Sequence, residues 1–222
     1  MRVFADPDEL GQALAGEIAA TPLRLLGCPG GRSLLTTYAA LPDLQETTIV
    51  MMDEYVPVPP PSAHYSCRGF AEREIRGGDV WLPDPDEPSA YDRRIADAGG
   101  IDLFLLASGA SDGHVAMLGP GAPRDGRTAV VELAETTRRD NLASFPEFGS
   151  LEEVPRHGVS VGIATILDAK ALRLVLHAAD KREAAARLLS VDRYDPAWPA
   201  SVVHEHEDAE ILLDREAAPW GG

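Results

Sequence analysis

Two segments of this chain place ionisable side chains directly after apolar runs. Asp112 and His114 stand two positions apart in a glycine-containing segment that follows the apolar run Ile101–Ala107. The segment Thr48–Tyr55 predicts a second strand, which carries Asp53. Histidine exchanges protons near neutral pH, and a carboxylate can fix its tautomer or work beside it, so these types suit general acid–base catalysis. The short motif by itself fits equally well a strand-to-loop turn with a capping Asp and a surface His.

A different set of residues is suited to holding an anion. The apolar run Leu25–Cys28 ends in a glycine-rich turn, and a helical pattern follows over Leu34–Leu41. Backbone N–H groups at such a turn attract anions such as phosphate. The glycine spacing matches neither a dinucleotide fingerprint nor a Walker loop. Lys181 lies near the start of a later predicted helix, where a cation opposes the helix dipole, which favours a functional role. The candidate anion-binding residues of the turn are Gly30, Gly31, Arg32 and Ser33.

The elements that must position these residues alternate along the chain. Strand-like apolar runs are followed by helical patterns from end to end, which is typical of βαβ units with a mostly parallel sheet. Asp6-Pro7 is a helix-start signal. The helix it begins carries its apolar residues on one stripe, at Leu10, Leu14 and Ile18. We therefore expect one Rossmann-like domain over residues 1–222, with three α/β/α layers and ligands bound at the carboxyl ends of the strands.

Composition limits the classes of partner. The formal net charge is −16 at pH 7, from 36 acidic and 20 basic side chains. Such a charge argues against nucleic acid and against an anionic membrane surface as partners. No leader peptide or membrane-spanning run is present, which predicts a cytoplasmic protein, and two cysteines are too few for a disulfide framework. An anionic substrate would need local cations, and the candidates are Arg32, Arg138, Arg139 and Lys181.

Taken in order, these motifs resemble one enzyme family. The series MDEY, HYS, DGH, TTRRDN, VPRHGVSVGIATILDA, ADK and AEILLD spans nearly the whole chain. It is similar to the glucosamine-6-phosphate deaminase/isomerase family and to its sister group, the 6-phosphogluconolactonases. MDEY, TTYAAL and TILDA are typical of the deaminase branch, whereas GPGAP after DGH is more typical of the lactonase branch.

The resemblance implies an activity and assigns residues to it. An amino sugar phosphate would be converted to a ketose phosphate plus ammonia, without a metal or an organic cofactor. Asp53 matches the base that shuttles a proton between neighbouring carbons, and His114 matches the group that opens the sugar ring together with Asp112. Lys181 matches the phosphate-binding lysine, and Arg138 is expected to contact the phosphate from a mobile lid. The implied partner is a small sugar phosphate; whether copies of the chain form a homo-oligomer is left open.

Two positions depart from the family pattern and leave alternatives. The family's glutamate that tunes the histidine falls on Gly119, and its phosphate-binding arginine falls on Ala143. These losses predict an altered substrate, either a different amino sugar or one without the phosphate. A second interpretation is a 6-phosphogluconolactonase-like hydrolase in which His114 activates water for attack on an ester carbonyl. A third is a non-catalytic regulator that binds a sugar phosphate.

Overall fold

A seven-stranded parallel sheet forms the centre of the protein in the computed structural model, which describes residues 1–220. The strands are β1 (Arg2–Phe4), β2 (Leu25–Cys28), β3 (Thr48–Met51), β4 (Asp53–Val56), β5 (Val80–Trp81), β6 (Leu103–Ala107), β7 (Ala129–Glu132), β8 (His157–Ser160), β9 (Leu172–Leu176) and β10 (Ala209–Asp214). Their order in the large sheet is β1-β10-β9-β6-β2-β3-β5, and β4-β8-β7 form a small antiparallel sheet. The predicted mostly parallel sheet is confirmed.

Helices cover both faces of the large sheet. They are α1 (Pro7–Ala20), α2 (Leu35–Ala40), α3 (Cys67–Glu74), α4 (Pro88–Asp97), α5 (Glu135–Ser144), α6 (Ile163–Leu167) and α7 (Arg182–Leu189). Short 3-10 segments occur at Arg32–Leu34, Pro146–Phe148, Ala179–Lys181 and Pro199–Glu205. Apolar residues of α1, α2 and α3 fill one side of the sheet, and those of α4, α6 and α7 fill the other. The α/β/α layering expected from the sequence is therefore present. None of the helices described here has the length and apolar character needed to cross a membrane.

Sequence signals at the first helix act as expected. The Asp6 side chain accepts a hydrogen bond from the Glu9 backbone N–H at 2.9 Å, and Pro7 occupies the first turn. Leu10 and Leu14 are fully buried against the sheet. Replacing a buried leucine by alanine costs about 2–5 kcal/mol, so this stripe contributes substantially to folding.

The run that leads to Asp53 was expected to be one strand from Thr48 to Tyr55, and this prediction is wrong. The chain leaves the large sheet after Met51, and Asp53 begins β4, which pairs with β8 opposite Ser160. Met52 connects the two sheets, because its N–H donates to Cys28 and its carbonyl accepts from Val161. The partner strand lies about a hundred residues later, so local periodicity could not show the change of sheet. Asp53 consequently lies where the two sheets meet.

Candidate active site

A pocket opens at the carboxyl ends of β2 and β6, where the order of strands in the sheet reverses. Open α/β sheets bind their ligands at such a point, because two neighbouring loops diverge there. The wall residues come from the glycine-rich turn after β2, from the start of β4, from the loop after β6, from α5 and from the segment after β9. Segments far apart in sequence therefore meet around one cavity.

Asp112 and His114 form a closely coupled pair on the loop after β6. His114 Nδ1 lies 2.7 Å from Asp112 Oδ1, and the other carboxylate oxygen accepts hydrogen bonds from Thr136 at 2.6 Å and Thr137 at 2.8 Å. Burial acts to raise the pKa of Asp112, but the hydrogen bonds and charge of His114 and the two threonines outweigh it and hold the pKa well below its usual range. The carboxylate is therefore charged at neutral pH and orients the imidazole, leaving Nε2 to exchange a proton.

Two glycines make this arrangement sterically feasible. A Cβ on Gly109 would lie 2.1 Å from His114 Nδ1, so any side chain there would displace the imidazole. Gly113 has φ of 63°, and a Cβ on it would lie 2.3 Å from the Trp198 ring. Glycine has no Cβ, so it can adopt a left-handed backbone conformation and allow a neighbouring side chain to approach closely. This explains why glycines lie on either side of Asp112.

Asp53 faces the same pocket in a very different environment. Its side chain is 7% exposed, and the Cys67 thiol donates to its Oδ1 at 3.3 Å. Burial raises the pKa of Asp53 to about 7, with a further increase from the charge of Glu54, while the thiol and His114 act in the opposite direction. A carboxyl group with a pKa near neutral can both accept and return a proton, as a proton shuttle requires.

Glu54, the next residue, has a structural role. Its carboxylate accepts hydrogen bonds from the backbone N–H groups of Cys67 and Arg68, both at 3.1 Å, and from the Ser66 hydroxyl at 3.3 Å. These groups form the start of α3, where unpaired N–H groups and the helix dipole favour an acidic partner. Glu54 therefore attaches α3 to the strand that carries Asp53.

The pocket wall also carries positive charge. Lys181 lines the wall, and its Nζ donates to the Ser108 carbonyl at 2.8 Å. Burial lowers the pKa of Lys181, although the carboxylates of Asp180 and Asp140 act to raise it. Arg32 also lines the pocket, and its guanidinium donates to the Ala143 carbonyl at 3.1 Å. Arg32, which belongs to the glycine-rich turn, and Lys181 line the same pocket and can receive an anionic end of a substrate.

One group of side chains in the described part of the chain has the proximity needed for a metal ion. Ligand atoms of Asp112, His114 and Asp140 lie within 4.8 Å of one another. Asp140 Oδ2 already accepts from the N–H groups of Ala110 and Ser111, at 3.0 and 3.2 Å. Asp112 and His114 are hydrogen-bonded to each other, so the candidate ligand atoms of all three residues already have hydrogen-bond partners within the chain. We therefore assign no metal to this group.

Comparison with known proteins identifies the family of the chain. The model of the family described as glucosamine-6-phosphate isomerases/6-phosphogluconolactonase matches residues 8–212. The chain belongs to this family. It is 36% identical over 234 residues to the glucosamine-6-phosphate deaminase of Shouchella clausii, covering 95% of this chain and 93% of that protein. It is 32% identical to the deaminase of Mycolicibacterium smegmatis, covering 97% of this chain and 90% of that protein.

Solved structures of the family show the same fold. A monomeric glucosamine-6-phosphate deaminase superposes with a TM-score of 0.87 at 29% identity, over 98% of each chain. The 6-phosphogluconolactonase from Trypanosoma brucei superposes with a TM-score of 0.73 at 21% identity, over 97% of this chain and 96% of that one. The likeness to the lactonase concerns the fold alone. Of these two structures, the deaminase is the more similar to this chain in both fold and sequence.

Most residues that the sequence predicts for the site are brought together. Those that line the pocket are Gly30, Gly31, Arg32, Ser33, Asp53, His114 and Lys181. Asp112 lies directly behind His114. Arg138 does not line the pocket. Its buried guanidinium donates to the Val154 carbonyl at 2.9 Å and also to Leu151. This geometry gives no support to the expected substrate contact of Arg138, which instead anchors the segment after α5.

Helix α5 contributes site residues that lie within the TTRRDN motif but were not singled out as site residues from the sequence. Asp140 and Asn141 line the pocket, and Thr136 and Thr137 hold Asp112. The sequence showed only a polar run that fits a solvated lid equally well. A 3.6-residue spacing places position 140 on the same helical face as 136 and 137, which is the one signal available from the sequence. Cys67 was also missed, because a single cysteine has no motif.

Proposed function

We propose that this protein is a glucosamine-6-phosphate deaminase. It would convert the amino sugar phosphate and water to a ketose phosphate and ammonia. The observation that carries the proposal is the meeting, in one pocket, of a near-neutral carboxyl at Asp53 with the Asp112–His114 pair. The similarity to curated deaminases over nearly the whole chain supports it. No other set of groups in the described residues combines these features.

His114 is the group suited to opening the sugar ring. Asp112 engages Nδ1, so Nε2 is the nitrogen that can take the proton of the anomeric hydroxyl and then give a proton to the ring oxygen. The carboxylate stabilises the imidazolium that exists between the two transfers. Ring opening exposes the C1 aldehyde and makes the C2 proton acidic.

Asp53 then carries the proton between carbons. Its carboxylate removes the proton from C2, and the resulting acid returns a proton to C1, which moves the carbonyl oxidation level to C2. One N–H proton passes to O1, so C1 becomes a hydroxymethyl group and the nitrogen at C2 becomes an imine. Water adds to C2, its two protons pass to the nitrogen, and the C–N bond breaks to leave a ketone at C2 and free ammonia. A base with a pKa of about 7 is suited to both directions of this transfer at neutral pH.

The far end of the substrate would be held by Lys181, Arg32 and the N–H groups of the glycine-rich turn. Net charge of −16 repels an anion at long range, so these local cations must dominate at contact distance. A charge-assisted hydrogen bond contributes about 1.5–3 kcal/mol. The phosphate would thus fix the register of C1 and C2 relative to Asp53.

Lactone hydrolysis is the second candidate. Gly119, in the Met117–Pro120 stretch after His114, favours it because that stretch is more typical of the lactonase branch. In that reaction the imidazole would activate water for attack on the ester carbonyl, and Asp53 would have no proton to shuttle.

The deciding experiment measures ammonia release from glucosamine 6-phosphate, with unphosphorylated glucosamine and 6-phosphogluconolactone assayed in parallel. The proposal expects turnover of the first compound and little of the other two, whereas ammonia release mainly from unphosphorylated glucosamine would establish the altered substrate that Gly119 and Ala143 predict. Lactone hydrolysis without ammonia release would establish the second candidate. Binding of the sugar phosphate with no turnover of any compound would indicate a regulator.

Lys181→Ala provides the test of anchoring. We expect KM for glucosamine 6-phosphate to rise roughly 10–100-fold, the kinetic equivalent of one lost charge-assisted hydrogen bond. The matched control is Lys170→Ala, which removes the only other lysine of the chain, an exposed one that pairs with Asp102. An unchanged KM in Lys181→Ala would place the phosphate elsewhere.

A further inference from the structure

We infer that Cys67 is a positioning residue for the reaction, holding one oxygen of Asp53 through its thiol so that the other oxygen faces the substrate. The inference rests on the proposed function, because it concerns the base that the function assigns to Asp53. Neither the family motifs nor the cysteine content pointed to this residue. It stands on a closed set of contacts between β4 and α3.

The first contact is the hydrogen bond between the thiol and the carboxylate. Cys67 Sγ lies 3.3 Å from Asp53 Oδ1, and it is the one side-chain donor to Asp53 found within residues 1–220. Both side chains are buried and both line the pocket. A buried carboxylate with a single donor depends on that donor for its orientation.

The second contact fixes the cysteine. Its backbone N–H donates to Glu54 Oε1 at 3.1 Å, and the Ser66 hydroxyl also donates to Glu54. Neighbouring residues of a strand point to opposite sides, so Asp53 and Glu54 reach different surroundings. Glu54 holds the start of α3, and the first residue of α3 reaches back to Asp53. Of the two adjacent acids, Glu54 therefore anchors α3, and Asp53 is left to transfer the proton.

A thiol suits this position because it is a weak donor. A strong donor would stabilise the charged form of Asp53 and bring its pKa down towards the ordinary range, whereas no donor would leave the carboxylate free to rotate. Burial and Glu54 already raise the pKa of Asp53 to about 7, and the thiol partly offsets them. The other ionisable groups that act on the pKa of Asp53 are Glu54 on β4, which raises it, and His114 on the loop after β6, which lowers it. Tyr38 on α2, Tyr55 on β4 and Tyr91 on α4 also lie near Asp53, whose charge raises the pKa values of their hydroxyls.

The test compares Cys67→Ala and Cys67→Ser with the wild type in the pH profile of kcat/KM for ammonia release. The base must be deprotonated, so activity falls below the pKa of Asp53. Alanine removes the donor and should move this acidic limb to higher pH by roughly half a unit or more. Serine is a stronger donor and should move the limb to lower pH. Equal limbs in all three proteins, or serine behaving as alanine, would overturn the inference.

Cys28→Ala is the matched control, because Cys28 is a second buried cysteine that is not part of the pocket wall. It loses similar packing volume, so stability should fall while the acidic limb stays in place. A shift as large as that of Cys67→Ala would attribute the effect to packing and overturn the inference. If Cys67→Ala fails to fold, the comparison of Cys67→Ser with the wild type still tests the inference, because the stronger donor should move the acidic limb to lower pH.

A readout without turnover separates this inference from the proposed function. Carbon-13 NMR of aspartate-labelled protein follows the Asp53 carboxyl, which Asp53→Asn identifies by its missing resonance. The Asp53 titration should move to higher pH in Cys67→Ala, and no movement would refute the hydrogen bond whatever the enzyme's substrate. Movement of this titration with an unchanged kinetic profile would support the hydrogen bond but remove Asp53 as the base, and with it the proposed function.

Discussion

Asp53 and Asp112 are buried acids of the same pocket, and the fold treats them in opposite ways. Asp112 receives hydrogen bonds from His114, Thr136 and Thr137, which overcome burial and hold its pKa below the usual range. Asp53 receives one from a thiol, and burial raises its pKa to about 7. Pairs of acids whose environments separate their pKa values are typical of sites that need both a fixed anion and a titrating base. The number of donors supplied by neighbouring elements therefore sets the role of each acid.

The largest expected effect tests Asp53 as the base. Asp53→Asn should lower kcat for ammonia release by about a hundredfold or more, because an amide cannot accept the C2 proton. KM should change little, since the anchoring cations are untouched. Steady-state kinetics and a circular dichroism spectrum measure the two properties. A near wild-type kcat in a folded Asp53→Asn variant would show that Asp53 is not the base, and the contrast between Asp53 and Asp112 would then have no functional meaning.

Asp112→Asn tests the other acid. The amide cannot hold the imidazole as the carboxylate does, and it no longer stabilises the imidazolium, so kcat should fall by roughly tenfold to a thousandfold. His114→Ala is the companion variant, and the double variant should lose no more than the larger single loss, because the two residues act as a unit. Additive losses would show that Asp112 and His114 act separately.

Stability should respond with opposite signs. The folded-state pKa of Asp53 lies above its unfolded value, so the charged carboxylate destabilises the fold as pH rises from about 4 to 7. Asp53→Asn should therefore raise the free energy of unfolding at pH 8 by roughly 1–4 kcal/mol, and the gain should vanish near pH 4.

For Asp112 the folded-state pKa is lowered, so its carboxylate stabilises the fold above the unfolded pKa and the benefit disappears as the solution is acidified. Asp112→Asn should lose about 1–3 kcal/mol at pH 8, and its deficit should stay nearly constant down to about pH 4 and shrink below that. Urea unfolding at about pH 3, 4, 6 and 8 measures both variants. The same sign of change for the two would contradict the comparison.

The smallest effect concerns a single donor. Thr137→Val removes one hydrogen bond to Asp112 at nearly constant volume, so kcat should fall about two- to fivefold and stability by about 0.5–1.5 kcal/mol. Thr47→Val is the control, because the Thr47 hydroxyl donates to the Leu23 carbonyl away from the pocket. It should lower stability similarly while kcat stays at the wild-type value. Equal kcat in the two variants would show that Asp112 does not depend on its threonines.

Much of this site could be predicted because its residues follow apolar runs. Each strand that ends in the pocket is read from local hydrophobicity, and carboxyl ends of parallel strands meet at one edge. His114, Lys181 and the glycine-rich turn were found in this way. Arg138 illustrates the limit: its sequence context fits a phosphate contact, but its guanidinium turns to the Leu151 and Val154 carbonyls.

The sequence by itself determined the alternation of strands and helices, the surplus of negative charge, the family and the positions where proton-transfer chemistry is available. Those properties depend on residue type and on spacing along the chain. The tertiary structure alone decided that β4 leaves the large sheet, that α5 holds Asp112, and that Cys67 reaches Asp53. Each of these is a contact between distant segments, and the pKa of a buried acid depends on such contacts because donors and solvent exposure are set in three dimensions.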